Sequence, residues 1–334
     1  TKNLGFDFTF LQNRLTFCAD IFERKVTDIL IPGGKDYPAL IGDDNLPFEN
    51  AGVLKTTGFE LQAKWSDKLS NGFAYSVGVA LSDDKAEVLS YPSNPTNKIG
   101  DGVLYKGYTV GDIWGYETGG ILQESDFDGV GPNGKPLYHG AYFKGGQPYP
   151  GYVWYQDLDH DGVITSGLST VDDPGDKKVI GNNAPRYRYN ITANFQYKGF
   201  DLDLMFQGVG KRDYWLKDVS SYWGGGAGSW ETYNQSWTPE RTDAKFPMYG
   251  SGIGSYAQSG YLLDASYIKL KQVILGYTFP KALIGKVGLK KLRLNIAAYN
   301  LFTLSDVPKY YDSDYLSDAY PPKRTFSVGI QVGF

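Results

Sequence analysis

Asp157, Asp159 and Asp161 alternate with other residues and are followed at once by Gly162. Carboxylates at this spacing converge on a hard cation when a glycine lets the chain turn sharply, as in positions 1, 3, 5 and 6 of a calcium loop. Val163 would add its carbonyl, Ile164 fits the apolar position 8, and Thr165 would ligate directly or through water. Leu168 stands where an EF-hand has its bidentate Glu, so a complete EF-hand is excluded. Asp172, Asp173 or Asp176 could supply the missing carboxylate after an insertion. The expected occupant is a structural divalent cation, Ca2+ first, bracing a surface loop. An acidic, solvated turn without an ion is the alternative.

Other chemistry is poorly supported. His139 and His160 have no motif tying either to a nucleophile, and Asp201 and Asp203 sit two apart on a strand pattern, where they read as solvated lining. Gly224-Gly225-Gly226 lacks the Lys-Ser/Thr of a phosphate loop. No catalytic residue is assigned, no enzymatic activity is expected, and no cofactor for chemistry is implied. Trp114, Tyr116, Trp154, Trp223 and Trp230 instead lead a set of aromatics in irregular segments, with Tyr142, Tyr149, Tyr152, Tyr155, Trp237 and Tyr256 among the rest. Such rings suit the apolar C–H face of a sugar. Packing within the loops or contact with a partner would use the same residues.

The elements that position these residues are strands. The chain has 334 residues, 27 Tyr and 42 Gly but only two Met, a balance that favours β structure. From Thr325 to Phe334 large apolar residues alternate strictly with Thr, Ser, Gly and Gln, the pattern of a strand with two unlike faces. The same pattern recurs at Phe6–Phe10, Leu15–Ile21, Phe59–Trp65, Phe73–Leu81, Tyr189–Tyr197 and Phe200–Phe206. Two more strands are expected at about 262–279 and 290–301, the first with a bulge near Lys271–Ile274. With 33 basic against 37 acidic residues and no basic block, nucleic acid is not an expected partner. Cys18, the single cysteine, excludes an internal disulfide and reads as a small packed residue.

These nine strands are joined alternately by short and long connections, the long ones at about 27–56, 84–186, 208–261 and 302–323. A soluble sandwich has no reason to sort its connections so, whereas an outer-membrane barrel has short periplasmic turns and long external loops. One face carries Phe, Leu, Ile, Val and Trp, the other Asp, Glu, Asn, Gln and Lys, which describes lipid outside and water inside. Trp65, Phe73, Tyr197, Phe200, Tyr277, Phe279 and Phe334 cluster beside the short connections as an interfacial girdle. The fold class is therefore all-β, an antiparallel transmembrane β-barrel. An odd count of nine cannot close a bacterial barrel if the last strand runs toward the periplasm. The expectation is a C-terminal portion of a larger barrel, with further strands and a secretion signal upstream.

Several stretches in order resemble one family, the SusC/RagA-type TonB-dependent outer-membrane transporters of Bacteroidetes. They are Asp157-Leu158-Asp159-His160-Asp161-Gly162 leading to Val179-Ile180-Gly181-Asn182, then Tyr197-Lys198-Gly199-Phe200-Asp201-Leu202 with Phe206-Gln207-Gly208. Ser236-Trp237-Thr238-Pro239-Glu240, Ala265-Ser266-Tyr267-Ile268-Lys269-Leu270, Tyr299-Asn300-Leu301-Phe302-Thr303 and Tyr320-Pro321-Pro322 follow. The resemblance implies a barrel of about 22 strands around a plug, an upstream segment contacted by TonB, and a SusD-like surface lipoprotein as lid. It implies import of a large nutrient, an oligosaccharide first and a peptide second, across the outer membrane of a Gram-negative bacterium. A passive channel, an adhesin barrel and a soluble carbohydrate-binding β protein are the competing readings. The family's motif places an acid just before the Val-Ile-Gly run, which selects Asp176 for the cation site. Phe326, Val328, Ile330, Val332 and Phe334 resemble the terminal signal read by the barrel-assembly machinery.

Overall fold

A computed structural model describes residues 1–33, 47–215, 233–251, 256–307, 311–316 and 322–334. Nine strands form one sheet: β1 (Lys2–Phe10), β2 (Leu15–Pro32), β3 (Phe48–Lys68), β4 (Ala74–Ser90), β5 (Arg186–Tyr197), β6 (Phe200–Lys211), β7 (Tyr267–Thr278), β8 (Lys291–Ser305) and β9 (Thr325–Gly333). Each pairs antiparallel with its sequence neighbour, and among the described residues β1 and β9 each keep one unpaired edge. A meander of this kind puts all four short connections at one end and all four long ones at the other. No described helix is long and apolar enough to cross a membrane.

The short turns follow from their residues. Lys198 and Gly199 both have positive φ, +46° and +89°, as a two-residue hairpin turn of matching twist requires. A Cβ on Gly199 would also lie 2.6 Å from the Thr278 carbonyl oxygen, so the neighbouring strand leaves no room for one. The β1–β2 turn takes three left-handed residues, Leu11, Gln12 and Asn13. The β7–β8 turn is a helical segment, Lys281–Ile284 continued by Gly285–Val287.

Register carries the two-faced pattern across the sheet. Phe10, Leu15, Trp65, Val77, Ala193, Leu204, Val273, Ala298 and Phe326 pair in succession, forming one apolar rung over all nine strands. Asp7, Cys18, Gln62, Ala80, Asn190, Gln207 and Lys269 form a rung on the opposite face. Cys18 thus lies half-buried on the polar wall facing Asp7, because its strand parity matches Asp20. Among the described residues nothing covers the apolar face. Phe200 and Ile296, in the interior of the sheet, remain 55% and 57% exposed, so these rows do not pack against a second layer. At the short-turn end Phe200 and Tyr277 lie 4.4 Å apart and Tyr277 and Phe279 4.9 Å apart, with Phe73 against Phe195 and Tyr197.

Several strands run further than alternation marks. β3 has 21 residues, about 70 Å at roughly 3.4 Å per residue, or about 50 Å of height at the usual tilt against an apolar band of about 25 Å. Its outer half, paired with β2 and β4, therefore stands above the membrane, and the β2–β3 connection shrinks to 33–47. The strand expected at 262–279 divides. Asp264 Oδ1 accepts the Ser266 amide at 2.8 Å, an Asx turn that frees Leu262–Asp264 to pair with Asp213–Trp215 in a separate ribbon. The bulge falls at Lys271, and it keeps Leu270 and Val273 in their apolar rungs despite a spacing of three.

The connection from β4 to β5 is a packed external module. Asp112–Tyr116 pairs with Lys177–Asn182, and Thr118–Ile121 with Val153–Tyr155. Val88, Ile99, Tyr105 and Tyr108 form one small core in this region, and Tyr116, Val153, Tyr155 and Ile164 a second.

Candidate functional site

The inner wall carries ion pairs: Arg293 holds Asp201, Arg188 holds Asp84, and Asn194 donates to Asp203. At the outer end of β4, on the register of the apolar face, Arg186 grips the buried Asp83 with two nitrogens, Nε at 2.6 Å. Asp201 and Asp203 are each occupied by a partner on the wall, the arrangement of lining and not of an acid–base pair. At the outer end of β7, Lys269 is 1% exposed and reaches Asp312 at 3.1 Å and Asp314 at 2.7 Å. Burial would raise the Asp314 carboxyl, but hydrogen bonds from Lys269 and Tyr267 outweigh it and hold it below the usual carboxylate range. The segment 311–316 from the β8–β9 connection is thereby anchored to the wall. Val307 and Leu316 pack on Ala265 beside it. Alternation shows Lys269 only as a polar-face residue; its partners lie in irregular chain that carries no period.

The aspartate loop closes as a cluster of three. Asp157, Asp159 and Asp176 bring carboxylate oxygens within 4.8 Å of one another. Gly162 makes the turn at φ +84°, and its amide donates to Asp157 Oδ2 at 2.8 Å. Ile164 is buried in the second small core, with Val163–Ile164 running parallel to Tyr142–Phe143, which ties the loop to the module. Asp176 is fully buried; its Oδ1 accepts the Leu158 amide and its Oδ2 the Thr165 amide, each at 2.7 Å. Asp161 lies outside this group of three, and its Oδ1 accepts the Val163 amide at 2.8 Å. Thr165 Oγ1 accepts the Gly167 amide at 3.2 Å. Burial would raise the Asp157 carboxyl, yet the amides of Gly162, His160 and Asp161 prevail and lower it. Asp159 is raised: the Asp161 amide opposes this, but burial and the charges of Asp161 and Asp176 win. Buried Asp157 Oδ1 has no hydrogen-bond partner among the described residues.

The aromatic candidates separate by burial. Tyr116 is only 3% exposed, and burial pushes its hydroxyl pKa up to about 12, so it belongs to the module's core and is out of reach of a ligand. Trp114 packs on the first small core and donates its Nε1–H to the Tyr105 hydroxyl at 3.0 Å. Two apart on one strand, they point to the same side, where Trp114 meets the first core and Tyr116 the second. Trp154 lines a cavity between two loops. Trp223 and Trp230 lie outside the described residues. Ser251 and Tyr138 also line that cavity, and no spacing in the sequence signals either.

No family model matches the chain. "TonB-dependent receptor P3" of Formosa agariphila is 27% identical over 360 residues, covering 99% of this chain and 34% of that protein. "TonB-dependent receptor SusC" of Bacteroides thetaiotaomicron is 25% identical over 353 residues, covering 100% of this chain and 32% of that protein. The chain thus spans about a third of the length of the curated relatives it matches. Among solved structures, that of the RagAB peptide transporter superposes with a TM-score of 0.73 at 20% identity, over 99% of this chain and 35% of that one. The fold is shared with that structure, the sequence likeness runs end to end, and the open sheet has the two faces of a membrane wall: the chain is similar to the SusC/RagA-type TonB-dependent outer-membrane transporters, and its nine strands have the fold of part of such a barrel.

Proposed function

We propose that the protein takes part in TonB-dependent import of a large nutrient, an oligosaccharide first, across the outer membrane. The observation that carries this reading is the wall itself, polar and ion-paired on one face and bare apolar on the other. A wall of this kind encloses water and faces lipid. The plug, the remaining strands and the TonB-contacting segment belong, in this reading, to the two thirds of the relatives' length that this chain does not span. A SusD-like lipoprotein would cover the external loops, and the barrel-assembly machinery would read Phe326, Val328, Ile330, Val332 and Phe334, the first four of which share the apolar face of β9.

Import of oligopeptides is the competing reading, since the solved structures with this fold include a peptide transporter. Deleting the gene, and separately the TonB gene, in the source bacterium and measuring growth on single glycans or on peptides as carbon source separates the two. Loss of growth on a glycan in both strains supports the proposal. Loss on peptides alone replaces oligosaccharide with peptide, and normal growth of the TonB strain on the affected nutrient turns the protein into a passive channel.

For the aspartate loop we propose a structural divalent cation, Ca2+ first, held by Asp157, Asp159 and Asp176, with the Val163 carbonyl and Thr165 as further donors. The unpartnered Asp157 Oδ1 and the crowding that raises Asp159 support it. The cation would brace the module and take no part in chemistry. Calorimetric titration with Ca2+ should show a site in the native protein and none in Asp159→Ala; superimposable curves would end the proposal.

A further inference from the structure

Each of the four short connections carries or adjoins a cation beside the aromatic girdle. Arg14 in the β1–β2 turn lies over the Trp65 ring, 5.9 Å from its centre, and Lys198 in the β5–β6 turn lies 5.1 Å from the centre of Tyr197. Such rings mark head-group depth, so the charges resting on them lie there too. Lys68 closes β3 at its turn. The β7–β8 connection and the first residue of β8 add Lys281, Lys286, Lys290 and Lys291, all exposed.

Acids are sparse at this end. Residues 11–14, 67–73, 198–199 and 279–291 hold seven of the chain's 33 basic residues but one of its 37 acidic ones, Asp67. Arg14 holds Asp67 at 3.3 Å, while none of the six lysines has an ion-pair partner among the described residues. On β6 the next acids, Asp201 and Asp203, face the lumen and are held by Arg293 and Asn194. The chain as a whole has a net charge of −4, so this excess of cations is a segregated patch and not a reflection of composition.

Aliphatic side chains share the patch. Leu283 and Val287 are 58% and 71% exposed and stand four apart in the helical run Lys281–Val287, which puts them on one side of it. Ile284 is 4% exposed, and its carbonyl accepts the Leu289 amide at 3.2 Å, which closes the run back toward β8. Leu11 and Leu69, in two other turns, are 56% and 45% exposed. A lone exposed Leu means little. Aliphatic side chains set among unpaired lysines and beside head-group aromatics are the composition of an interfacial segment, which sinks its apolar chains below the phosphates and holds its ammonium groups at them.

We propose that the short-turn end of the wall is a site for anionic lipid. Glycerophospholipids with negatively charged head groups gather there, their phosphates bonded by Lys281, Lys286, Lys290 and Lys291, with Leu283 and Val287 inserted among the acyl chains. An acidic soluble protein would match the charges, but it would not account for cations seated on rings that face lipid. The site fixes the depth of the wall in the bilayer, because ammonium groups paired with phosphates resist displacement in either direction. The proposal rests on this face meeting a bilayer and not on what is transported.

The test is electron spin resonance on the full-length receptor reconstituted in phosphatidylcholine vesicles, with nitroxide-labelled phosphatidylglycerol and phosphatidylcholine as probes. One lysine near an anionic surface is worth about fivefold in affinity, and lipids touching the rest of the barrel dilute this, so phosphatidylglycerol should be held about twofold more than phosphatidylcholine. Salt at about 1 M should remove the preference by screening. Lys281→Gln, Lys286→Gln, Lys290→Gln and Lys291→Gln combined should lower it, whereas Lys64→Gln with Lys211→Gln, on the polar face, should not. A nitroxide on Leu283→Cys, with Cys18 and any other cysteine of the receptor replaced by serine, should be reached by oxygen more readily than by a water-soluble nickel chelate. No preference for phosphatidylglycerol, a preference that the fourfold variant leaves intact, or equal loss in the polar-face variant overturns the proposal. A nitroxide open to the chelate overturns it as well, and with no lipid preference is the outcome for a face that meets an acidic protein in water. Growth phenotypes of the gene deletion are independent of these readouts.

Discussion

Replacing Lys269 with Met would unfasten the segment 311–316 from the inner wall. The ammonium is 1% exposed and bonded to two carboxylates whose side chains are 17% and 15% exposed. Met matches its length but leaves Asp312 without its cation and Asp314 with only the more exposed Lys271, 3.7 Å away. Removing one partner of a buried pair costs about 3 kcal/mol or more. Among the described residues, what remains to hold the segment is Leu316 on Ala265 and Val307, about 2 kcal/mol of apolar burial, the Tyr214 hydroxyl on the Leu316 carbonyl, and the weaker contacts of Tyr267 and Lys271 with Asp314. The variant should therefore open locally while the sheet stays paired. Hydrogen exchange reads this directly, because the Tyr315 and Leu316 amides both donate to the Asp312 carbonyl, at 3.1 and 2.9 Å. Their protection should fall about a hundredfold, the factor that roughly 3 kcal/mol implies, with β7 and β8 amides unchanged. Adding Asp312→Asn and Asp314→Asn should restore most of it by removing the uncompensated charge. Unaltered exchange at Tyr315 and Leu316 in Lys269→Met would refute the reasoning, since the ion pair would then hold nothing.

Three further outcomes follow from the same geometry. Asp314 has a lowered pKa in the folded state, so its contribution is complete above the ordinary carboxylate value of about 4 and is lost as pH falls through the lower folded value; protection of Tyr315 should hold from neutral pH to about 5 and decline below about 4. Ile296→Lys places a charge on the bare apolar face at a mid-strand position and should destabilise the barrel by about 2–4 kcal/mol, whereas Gln62→Lys on the opposite face should change stability by less than about 0.5 kcal/mol; denaturant titration of the receptor in lipid vesicles compares them, and equal effects would mean that the faces are wrongly assigned. Gly199→Ala must adopt φ near +89° and meet the Thr278 carbonyl at 2.6 Å, so it should cost about 1–3 kcal/mol and slow refolding into vesicles; a neutral result would show that the turn can adopt another form.

Much of the wall was legible because a strand's side chains alternate regardless of what surrounds it. Phe326 to Phe334 and Phe200 to Phe206 declare their two faces through period alone, and sorting of short and long connections implies which ends lie together. The spacing of Asp157 and Asp159 is likewise a local property, since a sharp glycine turn brings neighbouring carboxylates together wherever it occurs. Asp176 needed the family likeness, because 16 residues or more of irregular chain separate it from its partners. Asp161 needed the structure, which placed it outside the group of three, its Oδ1 accepting the Val163 amide.

What only the tertiary structure decided concerns segments without a period. Tyr116 and Trp154 look alike in sequence, yet one is sealed into a core and the other lines a cavity, because burial in a loop module depends on which distant segments fold over it. Lys269 could be placed on the polar face from its position, but its burial and its grip on Asp312 and Asp314 arise where a returning loop meets the wall. Period specifies a face; only contact between segments far apart in the chain specifies what that face, or a side chain off it, will meet.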